Sequence, residues 1–211
     1  MPITRRHLLP VLAAGIAAPT VVRAQGTSQP AATAAQTAAW KTERAVGSPS
    51  AKITVEEWFS LTCTHCGHFA QETYPQVESN LIKPGKVRWV FRDFPLDRVA
   101  LQAAMVARAL PPDRYQAFIL ALFASQDRWA FAPGVDYTKE LWNMAALAGM
   151  TRATFDAAVN DNALQDWILA QQAAAGKKYG IDATPSFVIN GKMSSGEMSY
   201  SDFVKLLPDV S

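Results

Sequence analysis

The only two cysteines of this 211-residue chain stand two residues apart, in the sequence Cys63-Thr64-His65-Cys66. An apolar run typical of a strand precedes them and a helical pattern follows, so Cys63 is predicted to lie where a strand ends and a helix begins. Two thiols at this spacing can form a disulfide and exchange it with other thiols. The tetrapeptide therefore predicts thiol–disulfide exchange.

Cys63 is predicted to be an unusually acidic thiol. The N–H groups of the first helical turn lack partners there, and the helix dipole favours a thiolate. His65, when protonated, adds positive charge, and the amides of Thr64 and His65 can donate to the sulfur. Stabilising the thiolate stabilises the reduced form, which makes the disulfide an oxidant. Cys66 lies one turn further on, and we expect it to be less accessible, to close the disulfide and to resolve mixed disulfides.

Glu57 is the second candidate for chemistry. Because strand side chains alternate between faces, Glu57 shares one face with Ile53, Val55 and Phe59. A carboxyl group buried among apolar side chains has a raised pKa and could move a proton to or from the Cys66 sulfur. The alternative is that this face is partly solvated.

The histidines raise a metal-binding alternative. Cys63, Cys66, His65 and His68 could in principle hold zinc or copper. Structural zinc sites, however, usually need a second Cys/His pair well separated in sequence, and the remaining histidine is His7. We therefore predict no metal and no cofactor, and we interpret His68 as an exposed helix residue.

The first 24 residues predict an export signal. Arg5 and Arg6 form a basic start, an apolar stretch follows over 8–22, and Ala24 offers a cleavage site. The stretch is too short and too interrupted by prolines to span a membrane. The arginine pair resembles a twin-arginine signal, with an ordinary Sec signal as the alternative. The Ala-, Thr-, Gln- and Ser-rich residues that follow predict a flexible tether over 25–45.

Charge and length limit the function classes. The predicted signal holds three arginines and no acidic residue, so its removal leaves 17 basic and 18 acidic residues out of 20 and 18. This balance gives no basic patch and argues against a nucleic-acid partner. The remaining chain is long enough to bury a core without disulfides, so the cysteine pair is not needed as a structural staple.

The pattern of elements predicts an α/β fold. Strands over 53–59 and 86–94 flank a helix over 63–81, which favours a βαβ unit with parallel strands. A block of amphipathic helices without strands follows. Strands over 186–189 and 192–195, joined by the hairpin turn Asn190-Gly191, and a helix over 200–207 close the chain. We predict a sheet domain formed by 46–96 and 177–211, interrupted by a helical insertion over 97–176.

Three segments together resemble one known family. The sequence of residues 59–66 around the cysteines, Phe-Arg-Asp-Phe-Pro-Leu-Asp at 91–97 and Ala-Thr-Pro-Ser-Phe at 183–187 are similar to motifs of the DsbA-like thiol:disulfide oxidoreductases. The resemblance covers roughly residues 45–208. It implies a thioredoxin-like fold with an inserted all-helical domain.

The resemblance also implies roles for individual residues. Cys63 corresponds to the nucleophile, Cys66 to the resolving cysteine and Glu57 to the buried acid. Thr184 and Pro185 correspond to a loop with a cis proline that exposes backbone to an extended substrate, whereas base rates alone favour a trans bond. The chain departs from the family in its dipeptide, because Thr64 stands where proline is frequent and lacks proline's fixed φ.

The leading hypothesis is a periplasmic oxidase that donates the Cys63–Cys66 disulfide to exported proteins with free thiols. A membrane partner that passes electrons to quinone would reoxidise it. One alternative is a disulfide isomerase or reductase of the same fold, which a threonine before the proline also permits. The other is a periplasmic metal-binding protein that uses Cys63, Cys66 and His65.

Overall fold

The computed structural model describes residues 1–2 and 31–208. Nearly all of the predicted export signal and the start of the predicted tether lie outside these residues. The strands are β1 (Arg44–Val46), β2 (Ile53–Phe59), β3 (Val87–Asp93), β4 (Ser186–Ile189) and β5 (Lys192–Ser195). The helices are α1 (Ala34–Trp40), α2 (Thr64–His68), α3 (Tyr74–Val77), α4 (Arg98–Ala109), α5 (Pro112–Phe123), α6 (Gln126–Trp129), α7 (Tyr137–Leu147), α8 (Arg152–Val159), α9 (Asn162–Tyr179) and α10 (Tyr200–Leu206), with π-helical segments at Phe69–Thr73 and Glu78–Ile82.

The five strands form one sheet in the order β1-β3-β2-β4-β5. Strands β2 and β3 are parallel, as the βαβ pattern predicts, and the other neighbouring pairs are antiparallel. Asn190 and Gly191 join β4 to β5 with φ angles of 45° and 88°, which is the left-handed conformation of a two-residue hairpin turn. The predicted hairpin is therefore confirmed, and β2 is the central strand.

The helix that follows β2 is continuous but not uniform. Its α-helical parts α2 and α3 alternate with the two π-helical segments. Pro75 has no N–H, so it cannot bond to the carbonyl of Gln71 four residues earlier. The N–H of Tyr74 instead bonds to the carbonyl of Phe69, five residues back. Hydrophobic periodicity predicts the helical run correctly but does not show this change of winding.

The segment between β3 and β4 is entirely helical in its regular elements, from α4 to α9. Asp97 caps α4 by accepting a bond from the Ala100 N–H at 2.8 Å. Thr151 caps α8 through a bond from the Thr154 N–H at 3.2 Å. The predicted helical insertion therefore follows directly from the end of β3.

The prediction of a flexible tether over 25–45 is wrong for its second half. Thr33 and Gln36 form a capping box that starts α1, and alanines favour its continuation. Thr37 donates a hydrogen bond to Asp161, and Trp40 is buried. Composition alone suggests a linker, but these contacts dock the segment on the helical insertion. Strand β1 then pairs with β3.

Both faces of the sheet are covered. Phe59 and Phe69 belong to a large core that extends into the helical insertion. Trp58, on the opposite face of β2, packs in a smaller cluster with Val188 and residues of the α9 end. All three aromatic side chains are buried. Across residues 1–2 and 31–208, no helix has both the length and the apolar character needed to cross a membrane.

Candidate active site

Cys63 occupies the junction between the central strand and the helix that follows it. It is the N-cap residue of α2, and its sulfur accepts a bond from the Cys66 N–H at 3.4 Å. The Cys63 N–H bonds to the carbonyl of Ser60 at 3.1 Å, which closes the turn after β2. The predicted placement at a strand–helix junction is therefore what the structure shows. Thr64 is the first residue of the helix and is exposed.

The loop before β4 lies against the Cys63 sulfur. The Thr184–Pro185 peptide bond is cis, and both residues are buried. The carbonyl of Thr184 lies 3.3 Å from the sulfur and can accept the thiol proton. The structure thus brings Cys63, Thr184 and Pro185 together, as the resemblance implies, although 121 positions separate Cys63 from Thr184.

The two thiols have opposite acidities. The pKa of Cys63 is lowered to about 5, chiefly by the hydrogen bond from the Cys66 side chain and further by the backbone N–H groups of Cys66 and His65, while burial opposes the change. Burial is the main cause that raises the pKa of Cys66 well above its ordinary value. Cys66 has no exposed surface, whereas Cys63 is 8% exposed. At neutral pH these shifts favour a thiolate at Cys63 and a protonated thiol at the more deeply buried Cys66.

His65 contributes to this acidity through its backbone. Its N–H is one of the donors that lower the Cys63 pKa. The imidazole lies at the exposed rim, where its Nδ1 is 2.8 Å from an oxygen of Glu197. His68, one turn further along, is also exposed, and its Nδ1 is 3.6 Å from the same oxygen. Sequence reasoning assigns His65 a direct charge effect on the sulfur, and the structure shows instead a side chain engaged with a carboxylate.

Glu57 is buried on the core face of β2. Its carboxylate accepts a bond from the Trp89 indole N–H at 3.0 Å. Burial raises the pKa of Glu57 to about 7, and this one hydrogen bond only partly offsets the effect. The partly solvated alternative for this face does not hold, since Glu57 is 3% exposed. A carboxyl group in this state can take up or release a proton near neutral pH.

The sequence does not single out Gln126, which anchors the turn between β2 and α2 that carries Cys63. Its side-chain amide donates to the carbonyls of Leu61 and Cys63 at 2.8 and 2.9 Å. Gly67 gives it room, because a Cβ at that position would lie 2.5 Å from the Gln126 side-chain oxygen. The helical insertion therefore holds the backbone of the site directly.

Replacing this amide tests its anchoring role. We expect Gln126→Ala to lower the free energy of unfolding by about 1 to 3 kcal/mol, because the carbonyls of Leu61 and Cys63 each lose a buried hydrogen bond, although the Cys63 carbonyl keeps its bond from the Gly67 N–H. Urea unfolding of the disulfide form measures the change. Gln172→Ala is the matched control, since it removes one bond of 3.3 Å to the Pro95 carbonyl at a half-buried position. An equal loss in both variants would contradict the anchoring role.

Known proteins resemble this chain over the region that forms the sheet and the helical insertion. A family model described as Thioredoxin matches residues 39–209. A Rickettsia typhi protein, provisionally named a protein-disulfide oxidoreductase, is 26% identical over 147 residues, or 69% of this chain and 54% of the relative. The chain thus spans about half the length of the curated relatives of this kind.

Solved structures agree with the fold. The crystal structure of Wolbachia pipientis alpha-DsbA1 matches with a TM-score of 0.73 and 31% identity, over 79% of this chain and 89% of that one. A structure from Novosphingobium aromaticivorans, described as a protein-disulfide isomerase, matches with a TM-score of 0.66 and 26% identity, over 77% and 94%. The fold and site define a protein of the thioredoxin superfamily. Within it, the chain belongs to the DsbA-like family, and the predicted fold class is confirmed.

Proposed function

We propose that this protein is a thiol:disulfide oxidoreductase that donates its Cys63–Cys66 disulfide to exported proteins. The observation that carries the proposal is the position of Cys63 at the start of α2, where its sulfur accepts a bond from the Cys66 N–H at 3.4 Å while the Cys66 thiol is fully buried. A thiolate at Cys63 with a pKa of about 5 stabilises the reduced form relative to the disulfide. The disulfide form then tends to take electrons from client thiols. The names of the similar proteins support the broader class of thiol:disulfide oxidoreductase.

The reaction consists of two exchanges. A client thiolate attacks the Cys63 sulfur, the disulfide bond breaks, and Cys66 leaves as a thiolate that must take up a proton. A second client thiolate then attacks the client sulfur of the mixed disulfide, and Cys63 leaves as a thiolate. The client loses two electrons and the protein gains them. We assign Glu57 as the proton source for Cys66, because its pKa of about 7 suits transfer in both directions.

The loop at Thr184 and Pro185 is assigned to client binding. It runs beside the reactive sulfur, with the Thr184 carbonyl 3.3 Å away. A client chain that delivers a thiol to Cys63 must therefore pass along this loop, where extended backbone can pair with it. Export through the signal over 1–24 would place the protein in the periplasm, and a quinone-linked membrane partner would restore the disulfide.

The reduction potential is the decisive measurement. We expect a value near that of strong oxidants, about −120 mV, and well above the value of about −270 mV typical of a reductant. Equilibration with glutathione buffers, followed by quantification of both redox forms, gives the potential. A value near −270 mV would refute the donor role and leave a reductase.

A second test looks for the covalent intermediate. We expect Cys66→Ser to accumulate mixed disulfides with exported proteins, because Cys63 remains able to attack a client disulfide and no second thiol can release it. Non-reducing electrophoresis shows the adducts, and a reductant must cleave them. Cys63→Ser is the matched control, since it retains only the buried thiol. Equal adduct formation by the two variants would contradict the assignment of Cys63 as the nucleophile.

The isomerase is the second candidate, since one matching structure is described as a protein-disulfide isomerase. We expect an isomerase of this fold to act as a dimer or trimer, so mass measurement in solution separates the candidates. A monomer with a high reduction potential supports the oxidase, and a stable dimer kept reduced supports the isomerase.

A further inference from the structure

Three ligand-type side chains meet on the exposed rim beside Cys63. His65 and His68 are three residues apart on one face of the helical run, and Glu197 approaches them from the loop after β5. One donor atom from each of the three lies within 4.8 Å of the other two. Within residues 1–2 and 31–208, no other group of three or more His, Cys, Asp or Glu side chains brings its ligand atoms this close together.

The position of Glu197 is fixed from both sides. The N–H of Gly196 bonds to the carbonyl of Pro185 at 2.8 Å, and the hydroxyl of Thr73 bonds to the carbonyl of Met198 at 2.8 Å. Gly196 has a φ of 95°, a conformation that glycine adopts at little cost. The loop is therefore held against the helix on each side of the carboxylate, and the cluster does not depend on a chance approach of a long side chain.

The chemistry of these groups matches a transition-metal cation. Two imidazoles and one carboxylate are the ligand types that Zn²⁺ and its neighbours take, with bonds of about 2.0 to 2.2 Å. Three protein ligands leave positions open for water, as in non-structural zinc sites. The side chains of His65 and His68 are 68% and 63% exposed, so they can rotate by the small amount that closes the cluster around an ion.

The surroundings also favour a cation. A groove of about 430 Å³ adjoins the cluster, and its lining includes Glu72, Glu197 and Asp202. Lys205 is paired with Asp202 at 2.7 Å, so its charge is partly neutralised there. Carboxylates concentrated in a groove raise the local concentration of cations and repel anions.

We propose that His65, His68 and Glu197 bind a divalent transition-metal cation such as Zn²⁺. The site is separate from the cysteine pair, so the disulfide form can be loaded as well as the dithiol form. It differs from the metal-binding alternative that the sequence offers, which uses the thiols and lacks a third separated ligand. Glu197 supplies that ligand from 132 residues away. Metal binding at this site does not require the exchange activity proposed above.

The test uses the disulfide form of the full, untagged chain, so that no thiolate can bind the ion. We expect calorimetric titration with Zn²⁺ to show one site per chain that His68→Gln and Glu197→Gln each weaken at least about tenfold. Glu72→Gln is the matched control, because it removes a carboxylate from the same groove but not from the cluster. We expect it to change the affinity less than about twofold. NMR resonances of both imidazoles should shift on titration.

Two results would overturn the proposal. One is the absence of Zn²⁺ binding by the disulfide form, and the other is unchanged binding by Glu197→Gln. Neither bears on the proposed oxidase, whose reduction potential is measured without metal. A low potential combined with cluster-dependent Zn²⁺ binding would refute the oxidase and retain the metal site.

Discussion

At pH 7 we expect the dithiol form of this protein to be more stable than the disulfide form, and we expect the difference to disappear as the pH falls through about 5. The cause is the Cys63 thiolate, whose pKa is about 5 in the folded protein and about 9 in an ordinary thiol. Between these values the unfolded dithiol chain binds a proton that the folded chain does not bind. Stability of the dithiol form therefore rises with pH above 5 and is lost below it.

Between pH 4 and pH 7, we expect the free energy of unfolding of the dithiol form to rise by about 2 kcal/mol relative to that of the disulfide form. Two pKa units between pH 5 and pH 7 correspond to about 2.7 kcal/mol, and solvent screening at this incompletely buried sulfur reduces the value. Urea unfolding of both redox forms across this pH range measures it. The disulfide form is an internal control, because the groups other than Cys63 that titrate between pH 4 and pH 7 are common to both forms, and burial raises the pKa of the Cys66 thiol well above this range.

A variant isolates the responsible sulfur. Cys63→Ser, kept reduced, should lose the extra stability gained between pH 4 and pH 7, because only the buried thiol of Cys66 remains. A difference between the redox forms that does not vary with pH would show that the Cys63 thiolate does not stabilise the dithiol protein. The oxidising role of the disulfide would then lack its physical basis.

Local patterns predict much of this fold because the relevant physics is local. Alternation over β2, the helical period after Cys63 and the Asn190-Gly191 turn each determine an element through neighbouring residues. The sharp change from strand to helix also predicts where Cys63 sits and why its thiol is acidic. These features follow from backbone geometry rather than from distant packing.

The parts that the sequence does not predict depend on contacts between distant segments. Gln126 reaches the cysteine loop across 63 positions, and Glu197 reaches His65 across 132. Nothing near either residue distinguishes it from an ordinary surface amide or acid. Helix α1 is missed for another reason, since a capping box at Thr33 and the burial of Trp40 outweigh a composition typical of linkers.

Glu57 leads to the second large effect, because a buried carboxylate lowers stability when it ionises. Its pKa of about 7 exceeds the ordinary value of 4.5. Above pH 7 the folded protein must hold a charge in a place that disfavours it, and the cost approaches about 3 kcal/mol. Below pH 4.5 the group is neutral in both states and the cost vanishes. Glu57→Gln removes the charge and keeps an acceptor for the Trp89 indole.

We therefore expect Glu57→Gln to raise the free energy of unfolding of the disulfide form by about 3 kcal/mol at pH 8 and by little at pH 4. Urea unfolding at the two pH values measures the change. Glu56→Gln is the matched control, because Glu56 lies on the opposite face, is only half-buried and pairs with Arg92 at 3.1 Å. A gain that is the same at both pH values would show that packing, and not ionisation, is responsible.

The same variant tests the proton transfer. If Glu57 supplies the proton that Cys66 needs on leaving, Glu57→Gln should slow client oxidation while it stabilises the fold. Stopped-flow fluorescence of the disulfide form with a dithiol peptide gives the rate, and Glu56→Gln should leave it unchanged. A more stable Glu57→Gln protein that reacts at the normal rate would exclude the relay. Slower reaction together with the pH-dependent gain would mean that the chain keeps a destabilising acid in its core because the exchange needs it.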